Sequence, residues 1–160
     1  MNNRRNLLHY IWLAALAALS AYYLYRAVDY RFLHPDRLGP SLFNKQLWYF
    51  SHVLLALPVV FGAPLQFLPK LRQSVPRVHR WIGRAYVFGA SGAATLAIYL
   101  GATTEYEESR LSIVITGALW LFFTLAAWRA AVAKNFVAHR AFMIRSYTLA
   151  LVLVWLRVMY

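Results

Sequence analysis

The sequence predicts an all-α integral membrane bundle of five transmembrane helices, with its N-terminus inside and its C-terminus outside. Three observations predict it. The 160 residues are 61% hydrophobic and only 14% charged, more apolar surface than a soluble domain of this length can cover. That surface is gathered into five runs, at about 7–28, 47–69, 79–101, 111–133 and 138–160. Each is close to the ~20 residues that cross ~30 Å of hydrocarbon at ~1.5 Å per residue. The charges are also sorted by side. With the N-terminus inside, eleven of the 17 basic residues and none of the five acids fall on the cytoplasmic side. This is the positive-inside pattern.

The elements follow in order. Arg4 and Arg5 open the chain, and the first run continues into Tyr22, Tyr23 and Tyr25, which suit an interfacial belt. Its length favours a retained anchor over a signal peptide cleaved after Ala18-Leu19-Ser20. His34-Pro35-Asp36 and Gly39-Pro40 supply turn chemistry for the following loop. The second run carries Pro58 and Pro64, where kinks are expected because each proline removes a backbone donor. Lys70–Val78 reads as a short basic loop, Ala102–Arg110 as an acidic one and Lys134–Val137 as a tight basic turn. The whole chain forms a single membrane domain, with no repeat of solenoid length.

Composition also excludes function classes. With no cysteine, the chain has no disulfide framework, cysteine-ligated zinc, iron–sulfur cluster or thiol nucleophile. The net charge of +12 suggests nucleic acid only until its distribution is seen. The sorting by side points to anionic lipid headgroups in a bilayer, not to nucleic acid. No Asp or Glu lies inside a span, which disfavours a carboxylate proton relay or a carboxylate-rich metal site. No Ser-His-acid set assembles at one depth.

Two related segments stand out. Val78–Tyr86 reads VHRWIGRAY and Ala138–Tyr147 reads AHRAFMIRSY. Each opens with His-Arg at the start of a span, carries a second arginine about one and a half turns later and then a tyrosine. Both spans run from inside to outside, so His79 and His139 begin at the same depth. A histidine at such a position is either an interfacial anchor or a ligand facing the bundle. Stepping at 100° from His79 brings Gly83, Tyr86, Ala90, Ala93, Ala94, Ala97 and Gly101 to one face. That face suits close helix packing, or leaves room for a flat cofactor beside His79. Met143, Ser146, Ala150, Leu153 and Arg157 share the face of His139. His52, near the outer surface, shares a face with Ala56, Val59, Ala63 and Gln66. The fourth span offers neither histidine nor carboxylate, and its expected role is packing.

Two histidines at one depth on different helices fit bis-imidazole ligation of haem b, with His79 and His139 as ligands to the iron. Arg80, Arg84, Arg140 and Arg145 match the carboxylates of such a group in fork geometry. The same residues suit a quinone head or a lipid phosphate.

The segments Phe61–Phe67 (FGAPLQF), His79–Tyr86 and His139–Tyr147 resemble a bacterial family of membrane proteins, domain-of-unknown-function family 2306. The similarity runs from about His52 to the C-terminus. It implies an integral protein of the bacterial inner membrane, without an established activity. The bundle is also similar, at the level of fold, to the cytochrome b561 and ferric reductase class. That likeness implies His52, His79 and His139 as candidate ligands, enough for one bis-histidine haem and not for two. The expectation is therefore a small b-type cytochrome-like electron carrier. The alternative is a non-enzymatic membrane subunit or assembly factor whose His-Arg motifs are interfacial anchors, within a homo-oligomer or a larger membrane complex.

Overall fold

A computed structural model describes residues 44–159, together with Ile11, Ala14, Ala15, Ala18, Ala21, Tyr22, Tyr25 and Asp29. The chain divides into two units, Met1–Arg37 and Leu38–Tyr160. In the first, the described residues from Ile11 to Tyr25 are helical. Most of the first expected span and the loop containing His34 lie outside the described residues.

The described residues of the second unit form helices joined by short turns. Its helices are α1 (Gln46–Gln66), α2 (Pro69–Ser74), α3 (Pro76–Ala102), α4 (Glu107–Val132) and α5 (Phe136–Met159). Among the described residues, α1, α3 and α4 are each long and apolar enough to cross a membrane. The four long helices match the expected runs to within a few residues at each end. Pro58 and Pro64 both lie inside α1, whose helix runs through them. The stretch read as a basic loop contains a further short helix, α2, started by Pro69 at its first turn, where proline loses no internal bond.

The helices pack in sequence order: α1 on α3, α3 on α4 and α4 on α5, with α5 meeting α1 only sparsely. One end of the unit therefore gathers Gln66, α2, the start of α3, the end of α4 and the start of α5. Both His-Arg segments lie at this end.

The small-residue face of α3 is the centre of the packing. Tyr86, Ala90, Ala93, Ala94, Ala97 and Gly101 are all buried. A Cβ at Gly89 would strike the Leu55 carbonyl oxygen of α1, and one at Gly117 would come within 2.9 Å of Ile98. Removing side chains here lets helix backbones approach, which is how bundles cohere in lipid. The face is thus filled by neighbouring helices, and the flat slot that its small residues also allowed is not open along it.

A three-residue turn, Ala133 to Asn135, joins α4 to α5. Lys134 adopts a left-handed backbone (φ 58°). The Lys134 N–H donates to Ala131 O at 3.0 Å and the Asn135 N–H to Ala130 O at 2.9 Å, a pair of bonds that closes a helix C-terminus. The Asn135 side chain then caps α5 by accepting the Ala138 N–H at 3.1 Å. One residue thus ends α4 and starts α5, which fixes His139 relative to the last turns of α4.

Candidate functional site: a histidine pair over a buried hydroxyl chain

His139 lies one turn inside α5, half-buried, and its Nδ1 is 2.9 Å from the Ala127 carbonyl oxygen of α4. A carbonyl only accepts, so Nδ1 carries the proton and donates it. The lone pair is left on Nε2, the tautomer of a histidine available as base or ligand. Ala127 is fully buried, and its small side chain lets the imidazole reach the backbone.

His79 lies one turn inside α3 and is half-buried. Its Nδ1 is buried with no hydrogen-bond partner among the described residues. Its backbone carbonyl accepts the Gln66 amide at 3.1 Å, which ties α1 to the same end. Seven residues further along the same faces, the Tyr86 and Ser146 side chains meet at 2.8 Å, so the faces that carry His79 and His139 are turned to the same interior. The structure therefore sets His79 and His139 at the same end of the second unit, one at the start of α3 and one at the start of α5.

The arginines divide differently. Arg80, Arg84, Arg140 and Arg145 are all exposed. The Arg84 guanidinium stacks 5.3 Å over the Trp81 ring, and that of Arg145 lies 5.9 Å from both the Phe123 and Phe142 rings. Five and six residues beyond their histidines, they sit well round the helix from them. Arg80 and Arg140 follow the histidines directly and stay at the mouth. His52 is elsewhere: its Nδ1 donates to Ala93 O at 2.8 Å, about 21 Å of helix away from Gln66.

Seven residues below each histidine, on its own face, lie Tyr86 and Ser146. The Tyr86 hydroxyl is 2.8 Å from Ser146 Oγ, and Ser146 Oγ is 2.8 Å from Thr124 Oγ1. Thr124 donates to Trp120 O at 2.8 Å. Thr124 has one hydroxyl proton and spends it on that carbonyl, so Ser146 donates to Thr124 and Tyr86 donates to Ser146. The result is a one-directional chain across α3, α5 and α4, in which Tyr86, Ser146 and Thr124 are all fully buried. Two donors beside this chain, Trp120 Nε1–H and Tyr147 O–H, have no partner among the described residues. Below the histidines, then, lies a closed polar floor.

The assignment of α4 to packing alone needs correction. It supplies the acceptor that orients His139 and the last hydroxyl of the chain. Sequence reasoning missed both because a backbone carbonyl has no letter of its own and Thr124 reads as one more small apolar-compatible residue. Gln66 was visible as polar near the inner end, and the histidine-to-tyrosine and histidine-to-serine spacing of seven was the signal for Tyr86 and Ser146. No group of three His, Cys, Asp or Glu side chains converges among the described residues, so a metal here would rest on the histidine pair.

Fold and site together define a helical integral membrane protein with a paired-histidine mouth. The chain belongs to the family described as "Predicted membrane protein (DUF2306)", whose profile matches residues 49–160. It is also similar to "Ava biosynthesis cluster protein G" of Aspergillus versicolor, 37% identical over 65 residues. That stretch is 38% of this chain and 19% of the fungal protein, so this chain spans less than a fifth of that relative's length. No solved structure matches.

Proposed function

We propose that this membrane protein is a small b-type cytochrome-like electron carrier, in which His79 and His139 hold one haem b at the end of the bundle. The observation that carries the reading is the pair itself. Two half-buried imidazoles stand at the same end of α3 and α5, on faces whose Tyr86 and Ser146 meet at 2.8 Å, one with Nε2 free to coordinate and the other with an orphaned ring nitrogen. A buried polar atom without a partner calls for one. The two histidines would hold the iron of such a group at the mouth. The group does not fit a slot along the small face of α3, which neighbouring helices fill. Haem would supply one-electron transfer when bound.

The chain's own residues do the rest. Ala127 O holds the His139 ring in its ligating tautomer, as such partners do for histidine ligands generally. The hydroxyl chain fixes the spacing of α3, α4 and α5 beneath the pair. Arg80 and Arg140 stand where carboxylates of a bound group would reach the surface. A quinone head is the alternative occupant of the same donors. The excess of basic residues at this end supports a cytoplasmic orientation, and on this reading a homo-oligomer or a larger complex in a bacterial inner membrane would exchange electrons with it.

The test is haem content of protein purified in detergent from cells supplied with haem precursor. His79→Ala and His139→Ala should each abolish retention. His52→Ala should not, because its ring is bonded to Ala93 at the far end. Equal retention by all three variants would remove the pair as ligands. The stacking of Arg84 and Arg145 on aromatic rings favours a second reading for those two residues, as interfacial anchors of a structural subunit. A folded wild-type protein that never takes up haem would establish that reading for the whole chain.

A further inference from the structure

The α3 face turned away from the histidines borders a lateral groove with a volume of ≈ 690 Å³. Leu55 of α1 and Trp128 of α4 form its sides, Phe88, Ser91 and Gly92 line it along α3, and Arg84 stands at the end nearest the His-Arg segments. Gly92 keeps the floor low: a Cβ there would come 2.8 Å from Leu55 Cδ1. From Arg84 to Leu96, the last lining residue on α3, twelve residues span about 18 Å. That is a little over half of the ~30 Å hydrocarbon core, the depth of one leaflet.

Charge decides the occupant. No Asp or Glu occurs in residues 66–86 or 128–147, which form this end of the second unit. Among the described residues at this end of the second unit, the exposed Arg84 guanidinium therefore has no carboxylate at its own level, and it stacks 5.3 Å over Trp81. Tryptophan settles at the headgroup level of a bilayer. Trp81 thus sets Arg84 among the phosphates and the groove among the acyl chains directly beneath.

We propose that this groove is a binding site for one anionic phospholipid, its phosphate on Arg84 and an acyl chain along Ser91 and Gly92 between Leu55 and Trp128. The site is separate from the histidine pair and stands whether or not the chain carries haem.

The full chain, reconstituted in nanodiscs of equal phosphatidylglycerol and phosphatidylcholine, is released into native mass spectrometry and its retained lipid counted. The wild type should retain phosphatidylglycerol in preference to phosphatidylcholine. Arg84→Gln should lower that preference about fivefold, the equivalent of about 1 kcal/mol for one basic residue near the headgroups. Arg77→Gln, an exposed arginine outside the groove, should leave it unchanged. Thr95→Trp fills the groove from an exposed position and should remove the retained lipid of both kinds, with helicity by circular dichroism unchanged. An equal effect of Arg84→Gln and Arg77→Gln, or none from either, would overturn the proposal. The chain has no cysteine of its own, so Phe88→Cys gives a further check. Efficient disulfide dimerisation in membranes would assign the groove to a second copy and overturn the lipid site.

Discussion

Replacing Ser146 with alanine cuts the hydroxyl chain at its centre. Ser146 is fully buried, accepts from Tyr86 and donates to Thr124, each at 2.8 Å. Side-chain hydrogen bonds between membrane helices contribute about 0.6 kcal/mol on average and up to ~1.7. Two severed bonds should therefore cost about 1–3 kcal/mol. Tyr86→Phe removes only the first bond and should cost about half as much. The double variant should cost less than the sum, because one bond is lost in both single changes. Thr148→Ala is the control: its exposed hydroxyl bonds only Ile144 O of its own helix, and its loss should be nearly silent. The assay is reversible unfolding in mixed micelles, followed by circular dichroism. A Ser146→Ala variant no less stable than Thr148→Ala, or fully additive single changes, would refute the chain as a linkage between helices.

Three further outcomes follow from the packing and the charges. Ala90→Leu, at a fully buried position of α3, should destabilise by about 1–3 kcal/mol through overpacking, whereas Ala85→Leu at an exposed one should be tolerated in the same unfolding assay. Lys134→Gly should stabilise by about 1 kcal/mol, since Lys134 holds φ 58° and a left-handed backbone costs a residue with a Cβ roughly that much; Asn135→Ala should cost about 1 kcal/mol by removing the α5 cap. A reporter fused within Gln73–Arg77 should be active on the cytoplasmic side and one fused after Tyr160 on the other; the reverse at both sites would contradict the orientation drawn from charge.

The faces of the helices were legible because lipid and helix packing leave a strong period in the sequence. Stepping at 100° found six of the seven buried residues of α3, missing Gly89, and likewise Met143, Ser146 and Ala150 on α5 and Val59 and Ala63 on α1. It also placed His79 and His139 at one end. What it did not show was how the polar groups are used. The Ala127 and Ala93 carbonyls that hold His139 and His52 belong to backbone, which the residue type does not reveal. The turn at Lys134 carries a closing pattern usually built on glycine, so the residue itself gave no sign of it. Arg84 and Arg145 lie near their histidines in sequence, yet five and six steps on a helix turn them away, and aromatic rings beside them take up their guanidinium faces. Gly89 and Gly92 fall outside the small-residue face that the period picks out; the first admits the backbone of α1 and the second deepens a groove.

The most direct measurement is a reduced-minus-oxidised optical spectrum of the wild-type protein, purified in detergent after expression with haem precursor. The account predicts a Soret band that sharpens on dithionite reduction, with one haem per chain and low-spin iron, as two imidazole ligands require. A folded but colourless protein, or one whose bound haem is high-spin with an open axial position, would contradict the joining of His79 and His139 in a single site.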